Sequence, residues 1–121
     1  MYLGVGRSDT DKDLGIICDK IVNLRIFPDV NGKMNLSVAD VRGEIMVVSQ
    51  FTLFGDARGG RRPSYIEAAA PDLARGMYEK AIERIRRTGF QVATGVFQAA
   101  MEVAYTNLGP VTILLDSEKK F

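Results

Sequence analysis

The spacing of apolar residues along the chain predicts two amphipathic helices. The first follows Thr10, whose hydroxyl can cap the helix while Asp13 favours its positive end. Its apolar positions recur at helical spacing: Leu14, Ile17, Cys18, Ile21 and Val22. The second helix runs from Pro71 to about Arg87, and Gly89 ends it. Its predicted buried stripe comprises Leu73, Met77, Ala81, Ile82 and Ile85.

Shorter apolar runs predict five or six strands. The central strand is predicted from Gly43 to Leu53, because it contains the β-branched run 45–48 between two glycines. The other strands are predicted at residues 1–6, 34–37, 91–94, 98–106 and 111–116, with a short extended stretch at residues 25–27 and a short helical turn at Pro63-Ser64. Two helices among such strands place the 121 residues in the α+β class as a single domain.

Composition narrows the classes of function. The chain is 46% hydrophobic and 26% charged, which is typical of a folded domain. It has no histidine, which excludes a Ser-His-Asp arrangement and most zinc sites, so we expect no metal. We also expect no cofactor. Cys18 is the only cysteine, and a buried thiol is the favoured interpretation. The formal net charge of +1 gives no evidence for a polyanion partner at the level of the whole chain.

No apolar run reaches the length of a membrane helix, and the N-terminus lacks the pattern of a signal peptide. We therefore expect no membrane contact and a cytoplasmic location.

Polar side chains interrupt the end of the predicted central strand at Ser49, Gln50 and Thr52. Strand alternation would place Gln50 and Thr52 on one face and Ser49 on the other. By itself this pattern is typical of a strand end whose polar groups are satisfied. Catalysis is the alternative, but serine and threonine nucleophiles need a base, and no histidine is present. Thr52 is therefore more credible as a positioning hydroxyl.

Two further segments carry candidate chemistry. Residues 107–112 place a Gly-Pro turn between two predicted strands, and local sequence alone favours a trans turn there. Residues 56–62 form a loop that carries Arg58, Arg61 and Arg62 around two glycines. This loop is either a solvated turn or a contact for nucleic-acid phosphates, and its nearness to the polar strand end favours the second interpretation.

Ser49-Gln50-Phe51-Thr52-Leu53 and Asn107-Leu108-Gly109-Pro110-Val111-Thr112 together resemble the D-aminoacyl-tRNA deacylase family, with its SQ-x-T and N-x-G-P-V-T segments. The resemblance continues in the family's order through residues 20–27, 32–37 and 60–64, and so covers nearly the whole chain. It implies a deacylase-like domain over residues 1–121, with a small barrel-like sheet, two helices packed on it, and a homodimer. Members of the family usually carry about 25 further N-terminal residues, which add two strands to the barrel.

The resemblance also implies a function, namely hydrolysis of the ester of D-aminoacyl-tRNA, and of glycyl-tRNA mischarged on tRNA(Ala), in chiral proofreading. The expected partner is the acceptor end of tRNA, with no DNA. A free ribose hydroxyl of the substrate would assist the attacking water, so a site built largely from backbone groups needs no side-chain base. The residues implied are Ser49, Gln50 and Thr52 for catalysis; Gly109 and Pro110, as a cis pair inserted into the other subunit's site, for rejection of L-amino acids; and Phe51, Leu53, Arg58, Arg61, Arg62, Asn107, Val111 and Thr112 for substrate or tRNA binding.

Other interpretations stay open. One is a catalytically inactive module that binds a tRNA end, favoured by the absence of the family's first strands, and another is a dimerisation protein without a ligand. Lys33 and Asn35 belong either to the rim of the site or to a hairpin turn. Phe51 and Phe97 either stack on the terminal adenine or lie in the core.

Overall fold

The computed structural model describes residues 1–120. Two helices, α1 (Asp11–Asn23) and α2 (Pro71–Arg87), are joined to five strands and one short 3₁₀-helix (Phe51–Phe54). The strands are β1 (Tyr2–Leu3), β2 (Phe27–Pro28), β3 (Met34–Leu36), β4 (Ile45–Ser49) and β5 (Val92–Thr94). The α+β class and both predicted helices are confirmed.

Three of the strands form a parallel sheet in the order β1-β4-β5. Tyr2 pairs with Val48 on one side of β4, and Ile45 pairs with Val92 on the other. Because all three strands run the same way, their carboxyl ends meet at one edge of the sheet. The antiparallel pair β2-β3 is separate. The strands thus make two small sheets where one barrel-like sheet was expected.

Helix α2 packs on the parallel sheet through its apolar stripe. Ile85 and Val47 are the largest fully buried side chains. The hydroxyl of Tyr78 donates to the carbonyl of Val47 at 3.0 Å and to that of Gly95 at 3.3 Å. These hydrogen bonds fix α2 against β4 and against the residue that follows β5, and burial raises the pKa of Tyr78. The prediction that Leu73 belongs to the buried stripe is wrong, since this residue is exposed.

Helix α1 packs against α2. Leu14 and Cys18 are its buried residues, and the Cys18 thiol lies 4.0 Å from the carbonyl of Ala81. Cys18 is buried, which confirms the interpretation of it as a buried thiol, and burial raises the pKa of this thiol.

Several predicted strands are corrected. The central strand ends at Ser49, and residues 51–54 form a 3₁₀-helix. Residues 98–106 and 111–116 contain no strand, although their composition suits one, because a strand needs a neighbour for its backbone groups and these residues find none among residues 1–120. The predicted helical turn at Pro63-Ser64 is instead an isolated bridge, with Ser64 paired to Asp56.

No helix among residues 1–120 is long and apolar enough to cross a membrane.

The start of α1 generates a prediction about acid stability. The Asp13 carboxylate accepts hydrogen bonds from the Thr10 hydroxyl at 2.6 Å and from the Thr10 backbone N–H at 2.9 Å, and these bonds, that of the hydroxyl first, lower the pKa of Asp13 from 3.8 to about 2. The resulting stabilisation is fully present above the unfolded-state value and is lost as the pH falls through the folded-state value. We expect Asp13→Asn to reduce the loss of stability between those two pKa values, measured as the urea midpoint against pH.

The matched control is Glu79→Gln, which changes an exposed carboxylate on α2. The control should follow the pH dependence of the unsubstituted chain, and an Asp13→Asn curve parallel to both would contradict the prediction.

Candidate functional site

A cleft of about 370 Å³ lies beside the carboxyl edge of the parallel sheet. It is lined by Tyr2, Gln50, Leu53, Met101 and Val103. Four parts of the chain meet here, namely β1, the end of β4, the 3₁₀-helix and the segment after β5. In sheets of parallel strands this edge is where ligands commonly bind, because the loops that leave the strands converge there.

Gln50 leaves β4 and starts the 3₁₀-helix. Its N–H donates to the carbonyl of Leu3 at 2.9 Å, and its carbonyl accepts from the N–H of Leu53 at 3.3 Å. Its side-chain amide donates to the Thr52 hydroxyl. Gln50 and Thr52 are therefore joined by a tight turn, and the expected strand alternation through Thr52 is wrong because the strand stops at Ser49.

Two glycines leave the room that this turn needs to pack closely against its neighbours. A Cβ at Gly4 would lie 3.0 Å from Cε2 of Phe54 and 3.2 Å from the carbonyl oxygen of Gln50. A Cβ at Gly55 would lie 3.0 Å from the carbonyl oxygen of Thr52. The backbone of the 3₁₀-helix is thus packed closely on both sides. The first N–H groups of such a turn have no carbonyl acceptor within it, so those of Phe51 and Thr52 are available to another group.

The remaining residues of the first motif differ in exposure. Ser49 is half-buried at the end of β4, where it pairs with Leu3. Phe51 and Leu53 are 58% and 55% exposed, so Phe51 does not lie in the core. The Phe51 ring meets that of Tyr65 edge-on, with centroids 5.1 Å apart. Phe97, by contrast, packs against the core, as one of the two interpretations from the sequence expected.

The second motif forms an exposed loop. The peptide bond between Gly109 and Pro110 is cis, so the trans turn that local sequence favours is not found. The Asn107 side chain spans the loop, because its Oδ1 accepts from the N–H of Val111 at 3.1 Å and its Nδ2 lies 3.4 Å from the Thr112 hydroxyl. Within residues 1–120, this loop does not line the cleft of its own chain.

The arginine loop, residues 56–62, is closed by the pairing of Asp56 with Ser64. Arg58 forms a two-point ion pair with Asp56, at 2.9 Å and 2.7 Å, which holds the pKa of that carboxyl well below its usual range and raises that of Arg58. Arg61 and Arg62 are exposed and form no ion pair with any residue from 1 to 120. The uncompensated positive charge of the loop therefore belongs to these two side chains.

Lys33 and Asn35 lie in the β2-β3 hairpin. The backbone N–H of Lys33 and the side-chain amide of Asn35 both donate to the Asp29 carboxylate, each at 3.1 Å. These bonds support the hairpin interpretation of both residues. The described residues contain no cluster of three metal-ligating side chains.

Sequence reasoning missed three residues that line the cleft, Tyr2, Met101 and Val103. None of them belongs to either motif, and all three are distant in sequence from Gln50. What brings them together is the parallel order of the strands, which places their carboxyl ends at one edge of the sheet. Strand order cannot be read from one sequence, so the sequence contained no signal for these three residues.

The model of the D-Tyr-tRNA(Tyr) deacylase family matches residues 1–116. The chain belongs to this family. D-aminoacyl-tRNA deacylases of Desulfitobacterium hafniense and Thermotoga petrophila are 57% and 54% identical to it over 100% of the chain, which spans 81% of each relative. An inactive D-aminoacyl-tRNA deacylase of Bacillus subtilis is 53% identical over 98% of the chain and 89% of that protein.

Among solved structures, the protein titled c-Myc DNA Unwinding Element Binding Protein superposes with a TM-score of 0.86 at 40% identity. The match covers 93% of this chain and 76% of that one. The fold described above is therefore that of a solved structure as well as that of the deacylase family.

Proposed function

We propose that the protein hydrolyses the ester bond of D-aminoacyl-tRNA and releases the free D-amino acid and tRNA. The observation that carries this proposal is the cleft beside Gln50, built from the SQ-x-T turn of a chain in the D-Tyr-tRNA(Tyr) deacylase family. Removal of D-amino acids in this way would be chiral proofreading of translation, carried out in the cytoplasm by a carboxylic ester hydrolase. Glycyl-tRNA mischarged on tRNA(Ala) is a further proposed substrate, because glycine has no side chain to reject.

The cleft favours catalysis by positioning and electrostatic stabilisation. Its five lining side chains include no histidine, carboxylate or lysine. The proposed mechanism therefore takes assistance for the attacking water from the ribose hydroxyl next to the ester. The N–H groups of Phe51 and Thr52 would stabilise the oxyanion, with Ser49, Gln50 and Thr52 orienting the ester.

Selection against L-amino acids is proposed to come from a second copy of the chain. The loop at Gly109 and Pro110 lies outside its own cleft and is braced by Asn107, with Val111 and Thr112 at its far end. A backbone wall inserted into the facing cleft would collide with an L side chain and leave room for a D side chain. On this proposal the deacylase-like domain spans residues 1–121, and each site of the homodimer combines the cleft of one copy with the loop of the other.

The segment after β5 supports the dimer. It exposes large apolar residues that a lone chain leaves in water, with Tyr105 70%, Leu108 84% and Leu114 66% exposed. Exposed apolar groups this close together in sequence are typical of a surface that another protein covers. A second copy is the occupant we propose, because the same segment carries the Gly-Pro loop.

A second candidate function is binding of an aminoacyl-tRNA end without hydrolysis. The observation that favours it is the Bacillus subtilis relative, which is named inactive although it is 53% identical. Binding would use the same cleft and the exposed side chains of Arg61 and Arg62.

The first test compares the release of D-tyrosine and L-tyrosine from tRNA by the purified chain. We expect release of the D form to be faster by a factor of about 100 or more, because steric exclusion of a side chain is costly in a closely packed site. Ser49→Ala and Thr52→Ala should each reduce kcat by less than about tenfold, well short of the 10²–10⁴ expected when an acid or base is removed.

Loss of all turnover in either variant, with folding and tRNA binding intact, would contradict the proposed backbone-based site. Binding of D-tyrosyl-tRNA without release of either amino acid would support the second candidate instead.

The arginine loop predicts the salt dependence of tRNA binding. We expect Arg61→Gln combined with Arg62→Gln to reduce the slope of log Kd against log salt by about 1–2, because each lost phosphate contact removes about 0.7–0.9. The control combines Arg58→Gln with Asp56→Asn, which removes an existing ion pair without changing net charge. Its slope should remain that of the unsubstituted chain, and an unchanged slope in the first variant would contradict a role of the loop in phosphate binding.

If the protein is a homodimer, light scattering should give a molar mass of two chains. We expect Leu114→Asp to shift the population to monomers and to reduce deacylation in parallel, because it places a charge in the proposed interface. The control is Val30→Asp in the β2-β3 hairpin, where the side chain is 100% exposed. A fully active monomer would refute the shared site.

A further inference from the structure

We infer that Arg75 is a positioning residue for the cleft, because it holds the segment after β5 so that Met101 forms a wall beside Gln50. Arg75 lies on α2 and lines no part of the cleft itself. Its proposed action is indirect and passes through residues 95–101. The effect on turnover rests on the proposed function, whereas the effect on the position of Met101 does not.

Two contacts join Arg75 to this segment. Its guanidinium carbon lies 4.6 Å from the centroid of the Phe97 ring, and its Nη2 donates to Oε1 of Gln98 at 3.3 Å. The Phe97 ring also packs against that of Tyr78, with centroids 5.9 Å apart. Phe97 is thus held between a core aromatic ring and a cation from the same helix. Arg75 is the outer half of this clamp.

The conformation of Gln98 explains why a clamp is needed. Its φ is +64°, a left-handed conformation that costs energy for any residue with a side chain. Such a conformation persists only where surrounding contacts fix it. The hydrogen bond from Arg75 to the Gln98 side chain is one such contact, and the turn from Ala99 N–H to the Val96 carbonyl, at 3.2 Å, is another.

The same turn places Met101 against the sheet. Its sulfur accepts a hydrogen bond from the N–H of Val96 at 3.3 Å. A Cβ at Gly95 would lie only 2.8 Å from that sulfur, so Met101 occupies the space that glycine leaves. From there Met101 lines the cleft together with Gln50 and Leu53. Release of residues 96–98 would therefore move one wall of the cleft.

The expected kinetic result follows from what the wall does. A displaced apolar wall weakens binding of the aminoacyl end in the ground state and in the transition state alike, which raises KM and leaves kcat nearly unchanged. A general loss of folded protein would instead lower the apparent kcat and leave KM unchanged. The two cases are therefore separable in one experiment.

The test uses the whole chain with Arg75→Met, Arg75→Lys and the control Arg87→Met. Arg87 lies on the same helix and pairs with Glu83 on the exposed side. With D-tyrosyl-tRNA as substrate, Arg75→Met should raise KM by about three- to tenfold, because one cation–π contact and one hydrogen bond are lost. The KM of Arg75→Lys should lie between those of the unsubstituted chain and Arg75→Met, since lysine keeps the positive charge but not the planar guanidinium. Arg87→Met should match the unsubstituted chain.

The second readout is the Met101 methyl signal in a ¹³C-methyl-methionine NMR spectrum, assigned by its disappearance in Met101→Leu. We expect Arg75→Met to shift or broaden this signal while that of Met34, in the distant hairpin, stays unchanged. An unmoved Met101 signal, or a lower kcat with unchanged KM, would overturn the inference. If the unsubstituted chain hydrolyses nothing, the proposed function fails, and the methyl signal still decides whether Arg75 positions Met101.

Discussion

The hydroxyl of Tyr78 makes the contact on which the rest of the arrangement depends. It donates to backbone carbonyls of β4 and of the residue that follows β5, so one buried group joins α2 to two parallel strands at once. Loss of a buried hydrogen bond of this kind costs about 1–3 kcal/mol where a polar group is left unpaired. Since Gly95 is one of the two acceptors, the same contact fixes the point from which the chain turns towards the cleft.

The cleft follows from where the sheet ends. The carboxyl ends of the parallel strands lie at one edge of the sheet. The glycines next to the SQ-x-T turn allow the backbone of that turn to pack closely against its neighbours. Little side-chain chemistry lines the resulting space, so on the proposed function backbone groups and the substrate itself would supply what an acid or base supplies elsewhere. The cationic loop lies directly after this turn in sequence, with Arg58 already neutralised by Asp56 and the charges of Arg61 and Arg62 exposed to solvent. The positive charge thus follows the turn in sequence, and none of these arginines lines the cleft.

The exposed segment after β5 is the part of the structure least explained by a single chain. Its apolar residues suit strands, yet residues 98–106 and 111–116 form no strand pairing with any residue from 1 to 120. The Gly-Pro loop is braced internally by Asn107 and stands apart from the cleft. A second copy that covers this surface would explain the composition of the segment and its conformation together.

Local interactions are what the sequence by itself determined. The Thr10 and Asp13 cap, the start of α2 at Pro71, the buried thiol of Cys18 and the apolar run of β4 all depend on neighbours within a few residues, so periodicity and capping rules predict them. The two motifs were also evident in sequence, because their residues are contiguous. Only the tertiary structure decided that Leu73 is exposed, that the central strand stops at Ser49, and that Tyr2 and Met101 line one cleft. The physical reason is that these outcomes depend on which strands become neighbours and on which groups find a partner, and both depend on residues far apart in the chain.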